Sequence, residues 1–189
     1  MANIKTKPSY QQGDLDMLCG VYSLLNIIQL LRPQSIAKSQ KLFFKVLRHL
    51  EKNKAKTLSK TITTGLTFKD MKQLFNVFLS AENLCWQLPF HGRDKPGIDQ
   101  YWNTLADLLK HHKEACVFIR LTGIHNHWTI VKAISENTLT LYDSDKLLRI
   151  HRRSCCIKSV NNKPHLLWPT HTVFIYKHDQ DGHEAANSV

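Results

Sequence analysis

Residues 19–31 read CGVYSLLNIIQLL, and the placement of their apolar side chains decides how the chain is built. Val21, Leu24, Leu25, Ile28 and Leu31 fall at i, i+3, i+4, i+7 and i+10, the stripe of an α-helix. Ile27 and Leu30 widen that stripe until little of the surface is left for water, so the helix belongs in a core. Arg32-Pro33 stops it, because proline lacks the N–H and restricts the residue before it. Ser23, Asn26 and Gln29 interrupt the run, and it is too short to cross a bilayer.

Outward from this helix, residues 1–16 read as an extended, polar entry. Residues 35–52 predict a second helix with Ile36, Phe43, Phe44, Val46, Leu47 and Leu50 apolar and lysines opposite. Residues 53–64 read as a polar, Lys-rich connection. Thr67, with Asp70 three residues on, predicts the capped start of a third helix through Met71, Leu74, Phe75 and Phe78. Residues 89–97 are a loop rich in breakers, after which Asp99 is the expected cap of a fourth helix through Trp102, Leu105, Leu108 and Leu109. Beyond Lys113 the pattern turns to short runs of strand length, at 115–121, 128–134 and 138–143, with weaker ones at 147–150 and 156–160 and a last one at 172–176. Helices first and strands second predict an α+β fold with an antiparallel sheet. Residues 1–177 are expected to form one domain, and 178–189 a disordered polar tail.

Lys+Arg is 26 against Asp+Glu 15, a net charge of +11 that favours an acidic partner. Residues 38–60 and 146–163 hold most of the clustered basic side chains, but no zinc-finger spacing or aromatic RNA-binding run accompanies them. A nucleic-acid-binding domain therefore rests on charge alone. The five cysteines are odd in number and include no CxxC pair, against a disulfide framework or zinc ribbon. The N-terminus has no apolar signal core, so a reduced cytoplasmic location, or export without a cleavable signal, is the expectation.

One cysteine stands apart. Cys19 lies where the entry becomes the buried helix, facing unpaired N–H groups and the positive end of the helix dipole, which favour a thiolate. Asp16 is the expected cap of that helix, and Gly20 leaves room for a substrate backbone beside the sulfur. The second element is a hairpin. A three-residue loop at 135–137 sets Asp143 opposite Thr129, one ladder step from His127, and puts His127, Thr129, Val131 and Ala133 on a face with Leu139, Leu141 and Asp143. Diagonal neighbours lie about 7–8 Å apart, within reach of a His–Asp hydrogen bond. His125 has the same parity and is the alternate base, one step further from Asp143. A thiol, an imidazole and a carboxylate so arranged form a nucleophile, base and orienting group. Gln12 or Gln11 is placed to donate to an oxyanion together with the Cys19 N–H.

The pieces QQGDLDMLCGVYSLLN, HNHWTIV and LTLYDSD resemble the papain-like cysteine peptidase superfamily. The order Cys, His, Asp and the short step from His127 to Asp143 are similar to its compact bacterial members: bacteriocin-processing-type peptidases, effector proteases and glutamine deamidases. The resemblance implies a papain-like fold, with Cys19 as nucleophile, His127 as base and Asp143 as orienting acid. It implies an amide bond of a protein or peptide as substrate, and no cofactor. Two features depart from the pattern: Gly-Val-Tyr follows the cysteine in place of a Trp-containing context, and Gln12 precedes Cys19 by one residue more than the usual step. A metal held by His125, His127 and Asp143 would need a third histidine from afar, such as His171. His111-His112 suits a helix C-terminus, and Cys155-Cys156 reads as an ordinary strand pair.

Overall fold

A computed structural model describes residues 7–52, 58–91, 96–157 and 163–177. Helix α1 runs Cys19–Leu31, as the stripe and its Arg-Pro stop predict, and Val21, Leu24 and Ile27 are fully covered. Burying side chains of this size stabilises by roughly 1.5–3 kcal/mol each. Helix α2 (Ile36–Lys52) packs against it through Val46 and Leu50. The connection that follows contains a further helix, α3 (Leu58–Thr64), which anchors through Thr61 and Ile62. Its short, Thr-rich sequence hid it, because this helix owes its place to tertiary packing more than to an apolar stripe. At α4 (Phe68–Leu74) the Thr67 and Asp70 side chains form the reciprocal capping box. A π-helical stretch, Phe75–Leu79, continues it and buries Phe75, Phe78 and Leu79.

Strand β1 (Leu84–Gln87) precedes α5 (Ile98–His111), and the sheet is completed by β2 (Ala115–Gly123), β3 (His127–Ile134), β4 (Thr138–Leu141), β5 (Arg149–His151), β6 (Cys155–Cys156), β7 (His165–Leu167) and β8 (Val173–Lys177). The main path is β1-β8-β2-β3-β4-β5, with β7 also on β2 and β6 on β7. Every pairing is antiparallel except β6–β7. The chain is thus α+β with an eight-stranded, essentially antiparallel sheet. Gly123 ends β2 at φ +100°, and a Cβ there would lie 2.2 Å from the Pro164 carbonyl oxygen, so only glycine lets β7 draw this close.

Helices α1 and α5 cover opposite sides of the sheet. Phe118, Trp128, Ile130, Val173 and Ile175 pack with α1, and Val117, Ile119, Val131, Leu139 and Phe174 pack with Tyr101, Trp102 and Leu105 of α5. α5 is not capped by Asp99: Gly97 is the N-cap, and the Asp99 carboxylate accepts from Arg152 Nη2 at 2.6 Å. No helix among the described residues is long and apolar enough to cross a membrane. The tail expected over 178–189 and most of the run at 156–160 lie outside the described residues.

Candidate active site

The β3–β4 hairpin sets the site's geometry by a route the sequence pattern did not show. Its turn has two central residues, Glu136 and Asn137, since Ser135 N–H donates to Thr138 O at 2.9 Å. Ala133 then faces Thr140 and Ile134 faces Leu139, one step off the expected register. A bulge between Val131 and Ala133 restores it: Val131 faces Leu141, and Tyr142 N–H donates to Ile130 O at 2.9 Å. The bulge also turns Ala133 to solvent and Ile134 onto the α5 core, which corrects the expected face. Asp143 nevertheless arrives where the simpler hairpin would have put it.

There His127 Nε2 donates to Asp143 Oδ1 at 2.7 Å, with both residues buried. The other carboxylate oxygen, Oδ2, accepts from the Asp145 N–H at 2.7 Å and the Leu147 N–H at 3.1 Å. Burial works against the Asp143 charge, but the bond and charge of the imidazole, with the Asp145 N–H, outweigh it and hold its pKa below the usual carboxylate value. The Cys19 side chain lies close enough to the His127 ring to interact with it. With Nε2 taken by Asp143, the nitrogen left for the sulfur is Nδ1. Burial lowers the imidazole's pKa, but the bonds and charges of Asp143 and Cys19 raise it more, to about 9.

Cys19 is the first residue of α1, whose N-cap is Leu18 with no side-chain cap. The expected capping by Asp16 does not occur. Its carboxylate instead accepts from the Gly13 and Leu18 N–H groups, at 2.9 and 3.0 Å, and shapes the entry turn. The first N–H groups of α1 are thereby left without a capping side chain, an environment that favours negative charge. Gly20 does not make space for substrate: a Cβ there would meet Met71 Sδ at 2.8 Å and Leu66 Cδ1 at 3.3 Å. It lets α1 pack against α4 and the segment before it.

The entry segment is bound to both halves of the site. Asn26, buried in α1, accepts from the Tyr10 N–H at 2.7 Å and donates to Tyr10 O at 3.0 Å. On the other side Asp143 O accepts from Ser9 Oγ at 2.6 Å and from Gln11 Nε2 at 3.0 Å, and Gln12 N–H donates to Ser144 O at 2.9 Å. The Gln11 amide is therefore committed to this stitching. Gln12 Oε1 accepts from Ser144 Oγ at 3.5 Å, which leaves its Nε2 as the amide donor not used in the stitching. Asn26 was not singled out in the sequence, although Ser23, Asn26 and Gln29 mark a polar line at three-residue intervals through an apolar helix.

His125 lies apart from this group, its ring stacked on His165 at 5.4 Å. His171 packs edge-on against Phe68 at 4.6 Å, and among the described residues no group of three or more His, Cys, Asp or Glu is placed to hold a metal. The other cysteines have different surroundings. All five are free, and burial alone pushes the Cys116 thiol well up, while burial foremost raises Cys155 to about 11. A scan of the chain against protein-family models finds no match, and no curated protein matches it in sequence.

Proposed function

We propose that the chain is a papain-like cysteine hydrolase that cleaves an amide bond of a protein or peptide through an acyl-thioester on Cys19. The observation that carries this reading is the buried 2.7 Å hydrogen bond between His127 and Asp143, with the Cys19 side chain, at the start of α1, close enough to interact with the same imidazole. In that arrangement His127 takes the thiol proton and the sulfur attacks the carbonyl carbon. The Cys19 N–H and the Gln12 side-chain amide are the donors for the developing oxyanion. The imidazolium then gives its proton to the leaving amine, and a water activated by His127 hydrolyses the thioester. Asp143 fixes the ring and supports its positive charge throughout. Proteolysis is the first form of this chemistry; deamidation or transfer at a glutamine side chain uses the same thioester.

The test is alkylation by a thiol-directed probe from pH 5 to 10, read at each cysteine by mass spectrometry. Cys19 should react fastest near neutral pH, with half-buried Cys85 as the internal comparison, and His127→Ala should abolish the difference. Equal rates at Cys19 and Cys85 would overturn the proposal.

A further inference from the structure

Strand β2 is paired along its outer edge by two different strands. β8 covers it as far as Phe118, opposite Val173, and β7 resumes at Leu121, opposite Leu167. Between them the chain leaves the sheet in a 3₁₀ turn, Pro169–His171, and opens a gap beside Ile119 and Arg120. A cavity of about 310 Å³ lies there, walled by Phe68, Trp128, Trp168 and His171, with Leu66 at its base and Arg120 at its side.

This cavity adjoins the Cys19 site. A Cβ on Gly20 would lie 3.3 Å from Leu66 Cδ1, and the Leu66 carbonyl oxygen accepts from Trp128 Nε1 at 2.9 Å. Trp128 follows His127 in β3. The Arg120 guanidinium lies over the Trp128 ring, 4.5 Å from its centre. It is close enough to Cys19 to act electrostatically on the sulfur. Its side-chain hydrogen bond goes to the neutral amide of Asn126, and among the described residues no carboxylate pairs with it. Lys72, whose ammonium lies 5.4 Å from the Phe68 ring centre, adds positive charge to the same wall. The neighbouring carboxylate of Asp70 is engaged by Thr67 N–H and Oγ1, at 2.8 and 2.7 Å.

A half-buried guanidinium without an anionic partner, held in place by stacking in an aromatic cleft, is a carboxylate receptor. Resting on the hydrolase reading above, we infer that this cleft is a substrate subsite in which Arg120 binds a carboxylate flanking the scissile amide. That carboxylate comes from a Glu or Asp side chain or from the substrate's own C-terminus. The aromatic walls take the aliphatic part of the group, and Trp168, 40% exposed, forms the rim through which it enters.

The experiment uses peptidyl epoxides, which alkylate thiols and carry substituents on both sides of the reacting carbon. Three matched probes differ in one group: a Glu side chain with an amidated C-terminus, Gln in its place, and Gln with a free C-terminal carboxylate. Labelling of Cys19 should be about tenfold faster with one acidic probe than with the neutral one, and which acidic probe wins identifies the source. Arg120→Gln should bring the ratio near one, and Arg120→Lys should keep part of it. The ratio separates recognition from any effect of the guanidinium on the thiolate, which scales all probes alike. Where Arg120→Gln fails to fold, Thr64→Glu at the exposed rim should lower the same ratio. Equal rates for all three probes in wild type, or a ratio unchanged by these substitutions, would overturn the inference while leaving the hydrolase reading intact. No labelling of Cys19 above Cys85 by any probe would overturn both.

Discussion

The two faces of the sheet are covered by different helices, α1 buried nearly all round and α5 through Tyr101, Trp102 and Leu105, and their polar groups do different work. On the α5 face Trp102 Nε1 donates to Ser135 O at 2.8 Å, and the Tyr101 hydroxyl shares a hydrogen bond with Thr172 at 2.9 Å. Both close connections of the sheet itself. On the α1 face Ser23 Oγ donates to Trp128 O at 3.0 Å, while Asn26 grips Tyr10. These bonds tie the helix bearing Cys19 to the strand bearing His127 and to the segment that reaches Asp143. One face supplies stability and the other position. A buried network whose members are all satisfied is rigid, and it loses its geometry when one member is removed.

The largest break of this comparison is Asp143→Ala. It removes the partner of His127 and leaves the Asp145 and Leu147 N–H groups without their acceptor. Amide hydrolysis should fall by on the order of 10³-fold or more. A variant that keeps its rate would show that the His127–Asp143 pair is structural. On the opposite face, Leu105→Ala deletes a fully buried side chain and should cost about 3 kcal/mol in denaturant unfolding. The alkylation rate of Cys19 in the folded variant should not change. A slower rate would mean that the two faces are coupled through the sheet.

Asn26→Leu keeps the branching of the side chain and removes both bonds to Tyr10. It should cost roughly 1–3 kcal/mol, because the Tyr10 backbone groups lose their partners. It should also slow Cys19 labelling, which Leu105→Ala does not. The pH dependence of stability separates the faces again. The folded His127 pKa of about 9 lies above its unfolded value near 6.5, so its contribution is fully present below the unfolded value and is lost as pH rises through about 9. For Asp143 the folded pKa is lowered, so its contribution is present above about pH 3.9 and is lost as pH falls through the folded value. The gap in Tm between wild type and His127→Gln should therefore be widest between about pH 4 and 6.5 and close toward pH 10. A gap that widens above pH 9 would contradict a charged His127.

The parts legible in the sequence are those whose cause is local. The bounds of α1 follow from its stripe and the Arg32-Pro33 stop, and the α4 start follows from Thr67 and Asp70. β1 and β7 escaped because four and three residues carry no periodic signal, and their pairing with β8 and β2 is set by distant chain. Asp16 and Asp99 both stood at plausible cap positions, and both carboxylates found other donors: the entry turn for Asp16 and Arg152 for Asp99. The placement of Asp143 was readable only because a shorter turn and a bulge offset each other. Arg120 carried no signal at all, since the gap between β7 and β8 that exposes it exists only in the folded sheet.

The smallest expected effect bears on the residue next to Cys19. At Gly20 the structure puts helix packing where the sequence suggested substrate access. If its missing Cβ serves packing, Gly20→Ala pushes on Met71 Sδ and Leu66 Cδ1, both in a covered core. The thioether end can rotate a little and the leucine less, so the cost should be about 1 kcal/mol, partly offset by the better helix propensity of alanine. Turnover per folded molecule should be unchanged, because the added methyl points away from the Cys19 sulfur and into α4. If the space instead serves substrate, the order reverses, with intact unfolding midpoints and a raised KM. Measuring both quantities on one variant decides whether the α1–α4 contact belongs to the stabilising part of the molecule or to the part that binds.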